Sequence, residues 1–192
     1  MWTWLRIYGK LYKNTIQKHY TKNIQNSIKI KTKSWLNFKI KDIFYLEKGK
    51  CNNASSLLED GDDIYYIGVK KNNNGVMKKV KRNKNLVSRK NALVFICDGE
   101  GSVRFHTFQD KEFIASTTLT LGYNKQLNKY NSMFIITALD KNRYKYSYGR
   151  KYRVNEFTTL KLPAILTPNN KWEPDWKFMK YFIKQLPYGD VI

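Results

Sequence analysis

The stretch Trp172–Pro187, "WEPDWKFMKYFIKQLP", decides how the rest of the chain is read. Pro174 suits the first turn of a helix, where its missing N–H breaks no internal bond, and Asp175 suits the positive N-terminal end. Pro187 stops the run. Between them Trp176, Met179, Ile183 and Leu186 fall at 3-4-3 spacing, which stacks them on one helical face. Phe178 and Phe182 widen that stripe, and Lys177, Lys180 and Lys184 face away. The stretch predicts an amphipathic helix that closes a domain built by the residues before it.

Those residues read mostly as strands. "WLNFKIKDIFYLEKGK", from Trp35 to Lys50, predicts a strand or short helical turn, then a strand ending in a turn at Gly49. Tyr65–Val69 is strand-like, and Asn74-Gly75 after it is a short turn signal because both residue types tolerate positive φ. Ala92–Cys97, "ALVFIC", reads as a buried strand punctuated by "DGEGS". "RFHTF" and "FIASTTLTL" read as strands, and "TTLKLPAIL" as an extended run into Pro163. Ser132–Leu139, "SMFIITAL", fits either a buried strand or a short helix, since eight apolar-rich residues show no period that decides. The fold class expected is α+β, strand-rich, closed by the C-terminal helix. The expected division is a basic N-terminal arm over 1–33, helical or extended, a central domain over 34–171, and a helix and tail over 172–192.

Charge narrows the function. Among 192 residues there are 36 Lys and Arg against 15 Asp and Glu, a formal net charge of +21. Such an excess repels itself in a compact state and points to a polyanionic partner, DNA or RNA first. AT-rich codon usage accounts for part of the lysine count but not for the scarcity of acids. Residues 1–33 carry Arg6, Lys10, Lys13, Lys18, Lys22, Lys29, Lys31 and Lys33 and no acid at all.

The chemistry-bearing patterns are weak. The four prolines are never adjacent, so the Pro-Pro element of a base-amino methyltransferase loop is missing. "DGEGS", Asp98–Ser102, follows a strand but no helical pattern follows it, so it reads as a tight turn rather than a cofactor loop. "EDGDD", Glu59–Asp63, precedes its strand and reads as a solvated loop. Cys51 and Cys97 are too far apart for a CxxC pair, and His19 and His106 complete no zinc set. They read as reduced thiols, and a Cys97–His106 catalytic pair is disfavoured because Cys97 lies in an apolar run. The N-terminus lacks an unbroken apolar signal region, and no run approaches the ~20 apolar residues that span a membrane. The expectation is a cytoplasmic protein with no cofactor, no metal and no catalytic residue.

Binding features are plentiful. Cations hold phosphates, while planar amides and guanidinium groups read base edges. Lys70, Lys71, Asn72, Asn73 and Asn74 supply both kinds of group on one predicted loop. Lys78 and Lys79 open a further cationic run, "KKVKRNKN". Arg104, with Tyr146, Tyr148, Arg150, Lys151 and Arg153, forms a third patch. Each lysine alone is as well read as solvated surface, and the asparagines alone as turn formers.

In that order and spacing, "WLNFKIKDIFYLEKGK", "IYYIGVKKNNNGV", "GEGSVRFHTFQDKEFIASTTLTL", "KYSYGRKY" and "LKLPAILTPNNKWEPDWKFMKYFIKQLP" resemble one target-recognition domain of a type I restriction–modification specificity subunit. They also resemble the variant at the C-termini of fused type II restriction–methylation enzymes, the BcgI-like and TaqI-methyltransferase-like proteins. The resemblance covers roughly residues 34–188. It implies double-stranded DNA read in the major groove, with Tyr66, Gly68 and Lys70–Gly75 in or beside the DNA-facing region. It also implies a DNA methyltransferase partner, and a restriction subunit beside it. The Trp176, Met179, Ile183 and Leu186 stripe would be the mounting helix or a homodimer contact. The chain has room for one such domain where a full subunit has two, so it would be a half-subunit or a domain split from a fused enzyme. Two rival readings stay open: a non-catalytic decoy occupying a restriction complex, and a small metal-dependent nuclease using Asp62 and Asp63.

Overall fold

A computed structural model of the chain describes residues 32–58, 61, 63–97, 105–141, 154–155, 157–187 and 189. Its centre is β6, Ala92–Ile96, where every residue is buried. Side chains alternate along a strand, so Leu93 and Phe95 point to one side and Ala92, Val94 and Ile96 to the other. Both sides are apolar because both are covered, which is why the sequence there is an unbroken apolar run.

β6 lies inside a four-stranded antiparallel sheet in the order β2 (Tyr45–Lys48), β9 (Leu119–Tyr123), β6, β7 (Thr107–Gln109). On its Leu93/Phe95 face sit two helices, α2 (Lys129–Asp140) and α3 (Trp176–Gln185), which contribute Phe134, Ile135, Leu139, Trp176, Met179 and Ile183 to a shared core. That core also takes Leu160 and Leu162 of β10 (Thr159–Leu166) and Ile40 and Ile43 of the short helix α1 (Ile40–Ile43). β10 is the middle strand of a separate three-stranded sheet, between β1 (Trp35–Lys39) and β11 (Trp172–Pro174).

On the other face, Val94, Ile96, Leu119 and Leu121 pack against Ile67, Phe113 and Ala115 of a second four-stranded sheet. Its order is β4 (Val76–Val80), β3 (Ile64–Ile67), β8 (Phe113–Ala115), β5 (Val87–Ser88). The β3–β8 pair is parallel, and its other neighbours are antiparallel. The outer side of this sheet buries Cys51, Leu57, Ile64, Tyr66, Val80 and Ile114 in a smaller cluster. The chain from Trp35 onward forms one compact unit. The fold is α+β, strand-rich, with a C-terminal helix.

Local chemistry explains the helices. Asn128 opens α2, its side chain accepting from the N–H groups of Tyr130 and Asn131 at 3.1 and 3.2 Å. Asn131 returns the bond, its Oδ1 accepting from the Asn128 N–H at 2.9 Å. This reciprocal cap satisfies donors that a helix start leaves orphaned, and it settles "SMFIITAL" as helix. Asp175 caps α3 by accepting from the Phe178 N–H at 2.8 Å. Pro174 is therefore the last residue of β11 rather than part of the helix's first turn.

Other expectations need correction. "FIASTTLTL" is two strands, β8 and β9, broken by a turn at Ser116–Thr118 and entering different sheets. In "RFHTF" the strand begins only at Thr107. The stripe expected to mount a partner is instead the chain's own core: Trp176, Met179 and Ile183 are 8%, 0% and 6% exposed. A mounting face has to be accessible, and this one closes over Phe44, Phe95 and α2. Leu186 leaves the stripe altogether, lying past the helix end at 38% exposure.

Gly122 lets the central sheet meet the helical core. A Cβ there would lie 2.8 Å from the Phe95 ring and 3.2 Å from Phe44. Neither ring can retreat, since both are buried. Gly122→Ala is expected to destabilise the fold by about 1–3 kcal/mol, as an overpacked core does, and urea unfolding of the purified variant measures it.

Candidate nucleic-acid interface

The β3–β4 hairpin carries the predicted loop. Cross-strand pairing sets Ile64 against Val80, Tyr65 against Lys79 and Tyr66 against Lys78, then slips between Tyr66 and Ile67. At the tip three consecutive residues take positive φ: Asn73 (51°), Asn74 (52°) and Gly75 (81°). L-residues with side chains avoid this region, and asparagine and glycine tolerate it best. The Asn-Asn-Gly run is therefore what this backbone requires. The Gly75 N–H donates to Asn72 O at 3.1 Å, and the Gly68 N–H to Gly75 O at 3.1 Å.

The loop's side chains divide into two sets. Lys70 turns inward and its Nζ donates to Val76 O at 3.0 Å. Asn74 Nδ2 donates to Phe108 O at 2.8 Å, and Gln109 Nε2 donates to Asn74 O at 2.8 Å. Lys70 and Asn74 thus build the loop. Lys71, Asn72 and Asn73 are exposed, and none of the hydrogen bonds or ion pairs among the described residues involves their side chains. One cation and two amides are left presented to solvent on a braced backbone.

Beside them lies a cleft of about 300 Å3 between this loop and the β7–β8 turn. Asn73, Asn74, Tyr65, Gln109, Asp110 and Glu112 are among its lining residues. The turn residues were not singled out in the sequence; their only signal is the short polar "QDKE" between apolar strands. Tyr66, expected in or beside a DNA-facing region, is 7% exposed and packs in the outer cluster. Tyr65 is its exposed neighbour, with Lys79 Nζ 5.7 Å from the ring centre. Lys78 is half-buried and Lys79 exposed on β4. Arg104, Tyr146, Tyr148, Arg150 and Lys151 lie outside the described residues.

Several other cations are engaged within the chain. Arg82 pairs with Glu112, and Arg89 donates to Glu47 at 2.9 Å. The Arg89 guanidinium also lies 4.2 Å from the Tyr123 ring centre. Burial, with Glu47 nearby, pushes the Tyr123 phenol up to about 12 against the pull of Arg89. Lys50 donates to Val87 O at 2.9 Å.

Residues weighed for chemistry have structural partners. His106 Nδ1 lies 2.9 Å from Asp140 Oδ1, and its ring meets Phe95 edge-on at 5.4 Å. It ties β7 to the end of α2. The Cys97 Sγ lies 3.7 Å from Phe95 O. Burial pushes the Cys51 thiol up, which disfavours the reactive thiolate. Of the acidic loop, Asp63 accepts from the Arg82 N–H at 3.3 Å, while Glu59, Asp60 and Asp62 lie outside the described residues. Among the described residues no three His, Cys, Asp or Glu side chains come together as a metal site, and no helix is long and apolar enough to cross a membrane.

The strand-rich scaffold thus presents two amides and one cation on a braced hairpin. The chain belongs to the type I restriction modification DNA specificity domain family, whose model matches residues 32–187. By that family's description, its domains serve DNA specificity in type I restriction modification. The fold is similar to that of the type I restriction–modification S subunit from M. genitalium, at 15% identity and TM-score 0.50, covering 80% of this chain and 39% of that one. It is also similar to the HsdS subunit from Thermoanaerobacter tengcongensis, at 11% identity and TM-score 0.51, covering 88% and 43%. A third similar chain comes from a structural study of complex assembly and conformational transition in the type I system, at 12% identity and TM-score 0.50, covering 97% and 46%. The chain spans less than half the length of each of these three. No curated relative matches it in sequence.

Proposed function

We propose that this chain reads one part of a DNA target and directs a methyltransferase, with or without a restriction subunit, to it. Lys71 holds phosphate, and Asn72 and Asn73 read base edges in the major groove, where an amide matches the N6/N7 edge of adenine. The observation that carries this reading is the solvent-facing trio Lys71, Asn72 and Asn73 on a loop whose other side chains lock it. One recognition domain reads one part of a split target, so a second copy of the chain or a further domain supplies the other. With the buried α3 stripe closing the core, a homodimer or a methyltransferase contact would use other surfaces.

Selection of bound duplexes from a randomised pool tests the reading. Wild-type chain is expected to enrich a defined half-site. Asn72→Ala or Asn73→Ala is expected to relax or shift preference at one base pair, by about 1–3 kcal/mol for a bidentate contact. Lys71→Ala and Lys79→Ala are expected to weaken all sequences alike. Identical behaviour of all four variants would overturn the division of roles, and no enrichment by the wild type would overturn the reading itself.

A further inference from the structure

We propose that Gln109 is a positioning residue for sequence reading: it holds the Asn72–Asn73 tip in its reading conformation without touching DNA. The proposal deepens the DNA-reading assignment and rests on it.

The tip's backbone lies in a region that asparagine tolerates but does not by itself fix. Asn73 and Asn74 both lie there. The fixing contacts come from β7, a strand of a different sheet, through two reciprocal amide bonds. Gln109 Nε2 donates to Asn74 O at 2.8 Å, and Asn74 Nδ2 donates to Phe108 O at 2.8 Å. Gln109 is 6% exposed, and its Nε2 also lies 3.3 Å from Thr107 Oγ1. β7 in turn pairs with β6, the most deeply buried strand. The bracing chain thus runs from the core, through β7, to the residue beside Asn73. A base contact through a planar amide depends on holding the amide's position and plane, so a tip released from this brace would lose discrimination before it lost charge attraction.

The same geometry says which variants separate positioning from stability. Gln109→Met keeps the side chain's length and apolar packing but removes the donor. The bonds it removes are those to the carbonyl of Asn74, an exposed residue, and to Thr107 Oγ1. Asn74→Gly keeps positive φ at no steric cost and removes the second bond.

The test is duplex selection from the randomised pool, run on the full chain with wild type, Gln109→Met and Asn74→Gly, alongside total affinity for a mixed-sequence duplex. Expected for both variants is a loss of ~10-fold or more in preference at the base pairs that Asn72→Ala or Asn73→Ala alters, with mixed-sequence affinity and its salt slope unchanged. Preference retained in Gln109→Met would overturn the inference while leaving the DNA reading intact. Preference and mixed-sequence affinity falling together would also overturn it, because that marks general loss of fold. If Gln109→Met does not fold, the near-isosteric Gln109→Glu, which also lacks the donor to Asn74 O, decides by the same two measurements. A wild-type chain that enriches no sequence would overturn the DNA reading, and the inference with it.

Discussion

Raising salt from 50 to 200 mM is expected to lower the chain's affinity for a duplex by ~10³–10⁵-fold, if ~6–10 phosphates are contacted. Each phosphate neutralised by Lys or Arg releases condensed counterions, so the logarithm of affinity falls linearly with the logarithm of salt at about 0.9 per contact. A formal charge of +21 supplies far more cations than such a footprint needs. Arg82 and Arg89 are already paired with carboxylates, and Lys70 and Lys50 with backbone carbonyls, so they are poor candidates for the footprint. Lys71 is a good one, and Lys71→Ala is expected to reduce the slope by about one. Fluorescence anisotropy across a salt series measures both quantities. A flat response would remove the electrostatic half of the DNA assignment, whatever the sequence preference.

How much of this was legible beforehand depended on what kind of signal each segment carried. Period-3.6 spacing with a capping Asp made α3 readable from Trp176 to Ile183, because an exposed lysine face contrasts with the buried one. That spacing did not say what the buried face meets. Resemblance assigned it to a partner, whereas α2 and the central sheet take it. "SMFIITAL" could not be decided from its apolar residues because α2 is buried on much of its circumference. The deciding signal was polar and lay outside the run, in the Asn128–Asn131 pair. The break within "FIASTTLTL" was hidden because Ser and Thr continue a strand as readily as they turn it.

For the site, the loop itself was legible and its internal roles were not. Asn72, Asn73 and Asn74 look alike in sequence, yet only Asn74 meets Phe108 and Gln109. Those partners lie 34 and 35 residues away along the chain and belong to another sheet, which no local pattern reveals. Tyr65 and Tyr66 are equally indistinguishable until pairing fixes which face is buried, since a shift of one residue exchanges the two sides. Gln109 at the end of β7 and Asp110 in the turn after it escaped because a short polar connection is the ordinary content of a hairpin-like link.

Phe95→Ala is expected to cost about 3–5 kcal/mol of stability, the range for truncating a fully buried aromatic ring. The ring is 0% exposed and meets Phe44 edge-on at 6.0 Å and His106 at 5.4 Å. Edge-on ring pairs are worth about 0.5–1.5 kcal/mol beyond the area they bury. Collapse around the vacancy is hindered at three of its neighbours. Gly122 has no side chain to move in, Phe44 is held by Trp176 at 6.4 Å, and His106 is tied to Asp140. The midpoint of thermal unfolding should therefore fall by about 6–20 °C, at 2–4 °C per kcal/mol for a domain of this size. Leu36→Ala, at a position 37% exposed on an outer strand, is the comparison, expected within about 0.5 kcal/mol as for most surface changes. The consequence reaches the proposed reading loop, because β6 supports β7 and β7 carries Gln109. Denaturant titrations in which Phe95→Ala and Leu36→Ala shift equally would mean that β6 is not the strand on which both faces of the fold are built, and the bracing of the loop from the core would fall with it.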